Sequence, residues 1–180
     1  GLLFVGDSHI DDDGCDWTTL RRHCEICKAN DGIYSIAIGD QANWWGGRLI
    51  KKYAEQETSA KTARKLVEWL FLESGMRWLV WLDGNHEHMT EGSAIISQMA
   101  RRYGTQRVAY HNWEARFVLE FPNGHQTRVL AAHDLPGSSM YNPNHALVKA
   151  AKFGNLIDII AVGHRHQHYV SQGEDPEQGH

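Results

Sequence analysis

Aspartate, histidine and asparagine recur in five short motifs spread along the chain: Asp7-Ser8-His9, Gly39-Asp40, Gly84-Asn85-His86-Glu87, His133, and Gly163-His164-Arg165-His166. Carboxylate and imidazole side chains suit divalent ions such as manganese, iron, nickel and zinc. Two such ions a few ångströms apart clamp both the attacking and the leaving oxygen of an in-line displacement at phosphorus. Together the motifs hold the ligands for a two-metal hydrolytic site, and the chemistry expected of it is phosphate-ester hydrolysis. Their weights differ. Asp-x-His arises often by chance, Gly-Asn-His-Glu directly after an apolar run is much rarer, and Gly-His-Arg-His after another such run, last in the order, is hard to credit to coincidence.

Each motif follows an apolar run. Leu2–Val5 leads into Gly6-Asp7, residues 33–38 into Gly39-Asp40, Trp78–Leu82 into Gly84-Asn85, and residues 157–162 into Gly163-His164. Short apolar runs separated by helical segments predict strands buried on both faces in βαβ units. A helix is expected over about Thr58–Ser74, where Ala63, Leu66, Val67, Leu70 and Phe71 share a face and Gly75 is a natural stop. Helices are expected also at about Trp17–Lys28, Ser93–Tyr103 and Asn144–Phe153. From Arg107 to Ala132 the pattern changes. Pro122-Asn123-Gly124-His125 between strand-like runs is a strong hairpin signal, so this half is expected to be antiparallel. Parallel units followed by a hairpin-rich half predict an α/β fold, a two-sheet sandwich with helices outside. Ligands in such sheets collect beyond the carboxyl ends of strands, where the motifs lie. With no internal repeat or linker, residues 1–180 read as a single catalytic domain, with a flexible tail at about 172–180.

Composition agrees with one soluble domain: 180 residues, 42% hydrophobic and 22% charged. A formal charge of −4 gives no overall pull toward nucleic acid or an anionic membrane, though it leaves a local basic patch open. No apolar stretch of about 18 residues and no charged-then-apolar leader is visible, so no membrane span is expected and a cytoplasmic location is. The chain opens at Gly1, inside its first apparent strand, so these expectations do not extend to the natural N-terminus. Cys15, Cys24 and Cys27 are too few and too odd in number for a disulfide framework, which points to a reducing compartment. A zinc site on these three and His23 is a weaker reading than a buried stripe, because Leu20, Cys24 and Cys27 follow the i, i+4, i+7 spacing of one helix face.

In order and content the motifs resemble the calcineurin-like metallophosphoesterase superfamily, over about residues 2–168. That resemblance implies an α/β/β/α sandwich and two divalent ions, manganese foremost, with iron, zinc or nickel as alternatives. It assigns the first ion to Asp7, His9, Asp40 and His166, and the second to Asp40, Asn85, His133 and His164. Asp40 would bridge the two. The chemistry fits this allocation: a shared carboxylate and a bridging hydroxide reduce the repulsion between two close cations. The net charge stays positive and attracts phosphate, and the ions lower the pKa of bound water from 15.7 toward about 7, giving a metal-activated hydroxide. His86, directly after Asn85, would serve the leaving-group side, protonating the departing oxygen or stabilising phosphoryl charge. Asp83 is a candidate to orient His86, or a loop cap. His133 is assigned by order and by the strand Thr127–Ala132 before it; His111, His125 and His145 fit the slot less well. The chain departs from the family where Gly-Asp-x-x-Asp is common: here it reads Gly39-Asp40-Gln41-Ala42-Asn43, so a neutral amide stands near the ligands.

Substrate signals are thinner. Trp44 and Trp45 could stack on a base or aromatic leaving group, or cover the core. Arg48, with Lys51 and Lys52, could meet further phosphates or form a solvated helix face, and His168 could line the cleft or face solvent. Asp11-Asp12-Asp13 would repel a long polyanion unless paired. The leading expectation is a phosphodiesterase acting on small phosphate esters, with a DNA or RNA nuclease as the alternative and a nucleotide or nucleic acid as its partner. A non-catalytic interaction scaffold is a remote third reading, since such proteins tend to lose ligands and none is lost here. Oligomeric state is left open.

Overall fold

The computed structural model describes residues 1–102, 108–137, 139, 141–154 and 156–173. Most of the expected tail, from residue 174, lies outside the described residues, as do Tyr103 and Arg107, at which expected segments were bounded; Gln172 and Gly173 belong to no helix or strand. In chain order the elements are β1 (Leu2–Val5), α1 (Trp17–Ala29), β2 (Tyr34–Ile38), a 3-10 helix (Gly47–Ala54), α2 (Ala60–Leu72), β3 (Trp78–Leu82), α3 (Asn85–His88), α4 (Gly92–Arg102), β4 (Ala109–His111), β5 (Glu114–Glu120), β6 (Gln126–Ala132), α5 (His145–Phe153) and β7 (Ile159–Val162). The chain is α/β with two sheets. One has four strands in the order β1-β2-β3-β4, all parallel; the other has three, β5-β6-β7.

Alternation along the strands builds the layers. Leu3 and Val5 point to a core shared with α1, α2 and α4, while Leu2 and Phe4 point the other way. On the helix side Leu20, Cys24 and Cys27 of α1, Val67, Leu70 and Phe71 of α2, and Ile95, Ile96 and Met99 of α4 cover Ala37, Trp78 and Trp81. Phe71 meets Trp78 and Trp81 with ring centroids 5.2 and 4.2 Å away. Strict alternation would put Trp78 and Trp81 on opposite faces. The register shift opposite Ser35 and Ile36, which pair with Trp78 and Val80, inserts Leu79 as an extra residue and returns Trp81 to the helix side. Ile36, Ile38, Val80 and Leu82 pack against Ala115, Ala131 and the half-buried Phe117, so the second sheet faces the first. Ala146 and Ala150 of α5 cover Leu130, Ala132, Ile160 and Val162 on the outer face of the second sheet. The order of layers is helix, sheet, sheet, helix.

One expectation about the second half needs correction. Ala109–His111, inside the stretch expected to be antiparallel, joins the first sheet as a fourth parallel strand beside β3. The hairpin β5–β6 is antiparallel, closed by Gly124 at φ 81, but β7 runs parallel to β6. The reason is connectivity: α5 intervenes between β6 and β7, and a helical crossover returns the chain in the same direction. Among the described residues no helix is long and apolar enough to cross a membrane.

Candidate metal centre

The loops leaving β1, β2, β3, β6 and β7 meet at one end of the two sheets. Beyond β1 and β2 the pairing continues as backbone bonds from Asp7 N to Gly39 O (3.0 Å), His9 N to Asp40 O (3.2 Å) and Ile10 N to Gln41 O (2.8 Å). Gln41, fully buried, donates through Nε2 to Gly39 O at 2.9 Å and accepts from Ser8 Oγ at 3.1 Å. Glu87, also fully buried, ties the second loop to the third: Oε2 accepts from Asp40 N (2.9 Å) and Gly84 N (2.8 Å), and Oε1 from Gln41 N (2.9 Å). Burial and the nearby Asp40 charge push its carboxyl up to about 7. Arg165 points away from the site. Its Nε and Nη2 donate to Asp134 Oδ1 at 3.1 and 3.0 Å, which fastens the last loop to the segment after His133.

These loops hold their ligand-type side chains by unusual backbone. Asp7, His9, Asp40, His164 and His166 have φ of 49, 37, 52, 70 and 49°, the left-handed region that L-residues other than glycine enter at a cost. Two glycines are needed for room: a Cβ on Gly84 would collide with the Asp40 carboxylate, and one on Gly163 with that of Asp7.

Three groups of side chains converge here: Asp7, His9 and His166; Asp40, His133 and His164; and His9, Asp40 and His86 between them. Within each group the ligand atoms lie within 4.8 Å of one another. His133 Nδ1 donates to Ile38 O at 3.0 Å, leaving Nε2 as the inward nitrogen, 2.9 Å from Asn85 Oδ1 and 3.3 Å from Asp40 Oδ2. A neutral imidazole nitrogen, an amide oxygen and a carboxylate oxygen all offer lone pairs, and a cation among them, a proton on Nε2 or a metal ion, reconciles them. Burial pulls the His133 pKa down, but the hydrogen bond and charge of Asp40 outweigh it and the result is raised. Asp40 is lowered, its own burial being outweighed by His133. Asp7 is raised by burial, against the His164 N–H that donates to its Oδ1 and Oδ2 at 2.9 and 2.8 Å. Burial and the nearby His86 lower His9. His86 N donates to Asp40 Oδ1 at 2.9 Å, and its ring sits edge-on to His9 at 4.9 Å. The donor set, two carboxylates with an amide and four imidazoles, suits divalent transition ions.

The chain matches no family model, no curated protein and no solved structure.

The seven residues read as ligands, with His86, are thus brought together; of the four residues offered for substrate, Trp45 alone lies beside them. Trp44 is buried in the helix-side core against Gly92, and does not line the cleft. Trp44 has φ 43°, and the half-buried Trp45 lines the cleft with its ring 5.3 Å from that of His86. Arg48 stands exposed on the 3-10 helix and His168 exposed after His166, neither on the cleft wall. Asp83 takes the Tyr110 hydroxyl at 2.5 Å rather than orienting His86. Cys24 and Cys27 are buried in the core, as their spacing indicates. The cleft, of ≈ 440 Å³, is lined by Asp7, His9, His86 and His166 together with Asp12, Cys15, Asp16, Asn43 and Trp45. Sequence reasoning gave no role to Glu87, Gln41, Gln56 or Arg165. Glu87 had a signal, its place in the Gly-Asn-His-Glu motif; Gln41 and Gln56 had none.

Proposed function

We propose that this protein is a dinuclear-metal-dependent phosphoesterase of the metallophosphoesterase type, acting chiefly on small phosphodiesters. One observation carries the reading: two His/Asp groups are joined through His9, Asp40 and His86, and one of them, Asp7, His9 and His166, lines a cleft together with His86. Asp7, His9, Asp40 and His166 would hold one ion and Asp40, Asn85, His133 and His164 the other. When bound, such ions supply Lewis acidity toward phosphate oxygen and toward water.

The chain's own residues do the rest. Asp40 sets the spacing of the two groups, because its Oδ2 faces His133 and its Oδ1 fixes the backbone of His86. His86 donates from Nδ1 to the carbonyl of Asn43, so a proton handed to a leaving oxygen would come from Nε2 of the doubly protonated ring, which then keeps its Nδ1 proton and becomes neutral; the same imidazolium would meet phosphoryl charge. The cleft favours diesters carrying a single phosphate. Among the described residues no Lys or Arg lines it, and the carboxyls of Asp12 and Asp16 are held below the usual range by hydrogen bonds from Asn43 and Thr19. Ionised carboxylates in the cleft oppose a second phosphate, and with it a nucleic-acid backbone. The test is a panel of mono- and diester chromogens, cyclic nucleotides, and single- and double-stranded DNA and RNA, with manganese. Small diesters should be the best substrates. Preferred cleavage of duplex DNA with a steep salt dependence of binding would favour a nuclease instead, and no hydrolysis of any substrate would overturn the assignment.

A further inference from the structure

We propose that Asn43, oriented by Asp12 and Gln56, is a positioning residue that fixes which ring nitrogen of His9 faces the candidate metal centre. The inference rests on the reading above in one respect, that His9 is a ligand.

Asn43 is 2% exposed and every polar atom it has is engaged. Its N–H donates to Asp11 Oδ1 at 2.7 Å and its carbonyl accepts from His86 Nδ1. In the side chain, Nδ2 donates to Asp12 Oδ2 at 2.9 Å and to Gln56 Oε1 at 3.2 Å, while Oδ1 lies 2.8 Å from His9 Nδ1. The two ends of an amide are told apart by their partners, and here the partners are one-way groups. The Trp45 indole N–H can only donate, and it meets Gln56 Oε1 at 2.5 Å; the Thr58 carbonyl can only accept, and it meets Gln56 Nε2 at 2.5 Å. Gln56 therefore presents an acceptor to Asn43, as does the Asp12 carboxylate. Flipping the Asn43 amide would set its oxygen against both acceptors. Unflipped, that oxygen requires a proton on His9 Nδ1, and the lone pair is left on Nε2, among Asp7, Asp40, His86 and His166.

The same chain of bonds explains why a neutral amide stands at position 43. A carboxylate there would face the carboxylate of Asp12 at hydrogen-bond distance. With Asp12 one step further out, the acid charge is kept but passed to His9 through an amide, so one residue sets the tautomer of a candidate ligand with its side chain and that of His86 with its backbone.

The experiment reads the ring nitrogens of His9 and His86 by long-range ¹⁵N–¹H NMR, and manganese affinity by calorimetry, in three variants of the full chain. Asn43→Leu keeps the shape and removes the relay. His9 should become a mixture of tautomers while His86 does not change, and one of the two manganese affinities should fall by about 10–100-fold, as loss of a ligand's orienting partner does. The exchange of Asn43→Asp with Asp12→Asn, made together with Gln56→Ala so that no second acceptor faces the carboxylate at position 43, restores a donor-acceptor pair and should restore both readouts. Asp12→Ala with Gln56→Ala leaves Asn43 in place and should reproduce the His9 change, which keeps the test decisive if Asn43→Leu does not fold. An unchanged His9 tautomer in the Asn43→Leu or the double-alanine variant overturns the proposal, as does equal weakening of manganese binding in the exchange pair and Asn43→Leu. If the wild-type protein binds no manganese, the functional reading fails, and the NMR arm still decides the relay.

Discussion

Replacing Asp40 with Asn separates the carboxylate's chemistry from its structural part. At φ 52° an asparagine is as well tolerated as any residue but glycine, so the backbone is not disturbed. The amide oxygen can keep the bond from His86 N at 2.9 Å, and the amide nitrogen replaces Oδ2, 3.3 Å from His133 Nε2, where it donates to the neutral imidazole. A charge-assisted contact becomes a neutral one, a loss of about 1–2 kcal/mol. Against this, the repulsion that Asp40 exerts on buried Glu87 disappears. The net change should lie within about 1 kcal/mol, a shift of about 2–4 °C in Tm for a chain of this size. Metal binding has no such compensation, because an anionic ligand offered to both ions is gone. A loss of at least ~100-fold per site, about 3 kcal/mol, is expected. The assay is a thermal melt with and without manganese, paired with elemental analysis after gel filtration. Wild type should melt higher with manganese, by the binding linkage; the variant should melt near the metal-free wild type in both conditions and retain well under two ions per chain. A variant that loads two ions and gains the same stability would refute the bridging role.

His86→Ala should cripple hydrolysis of alkyl or ribose-linked diesters by about 10²–10⁴-fold while sparing much of the activity on nitrophenyl esters, whose leaving group needs no proton; equal losses on both, measured as kcat, would exclude the general-acid role. Trp44→Ala should cost about 3–5 kcal/mol in denaturant melts, as for a buried tryptophan, whereas Trp45→Ala should cost about 1 kcal/mol and act on KM. Arg165→Met, removing a partly exposed clamp on Asp134, should destabilise by about 1 kcal/mol and weaken manganese binding more than that figure suggests, because the clamp holds the loops of His133 and of His164 and His166 together; calorimetry reads both.

The convergence of the residues read as ligands was legible because their motifs follow apolar runs, and strand ends are where a sheet delivers side chains to one edge. The helix-side core was legible for the same reason of period: Leu20, Cys24 and Cys27, or Val67, Leu70 and Phe71, repeat at helical spacing. What the sequence hid are features set by partners far along the chain. Glu87 reads as one more acidic residue, yet it accepts three backbone bonds, two from the loop after β2 and one from its own. Gln56 lies 13 residues after Asn43 with no motif around it. Ala109–His111 is too short and too exposed to announce a strand, and only the open edge of β3 makes it one. Trp44 and Trp45 are adjacent and identical in type, so nothing in the sequence says which of them is buried.

The left-handed backbone at Asp7, His9, Asp40, His164 and His166 has a consequence for how this chain can drift. Each such residue gives up about 1–2 kcal/mol relative to glycine, and five together amount to about 5–10 kcal/mol, comparable with the whole stability of a typical domain. Random substitution to glycine at any of the five would therefore relax the fold at the same moment that it removed a ligand-type side chain. Thermostability selection applied without an activity screen should empty this site first, and libraries built for robustness need those five positions frozen.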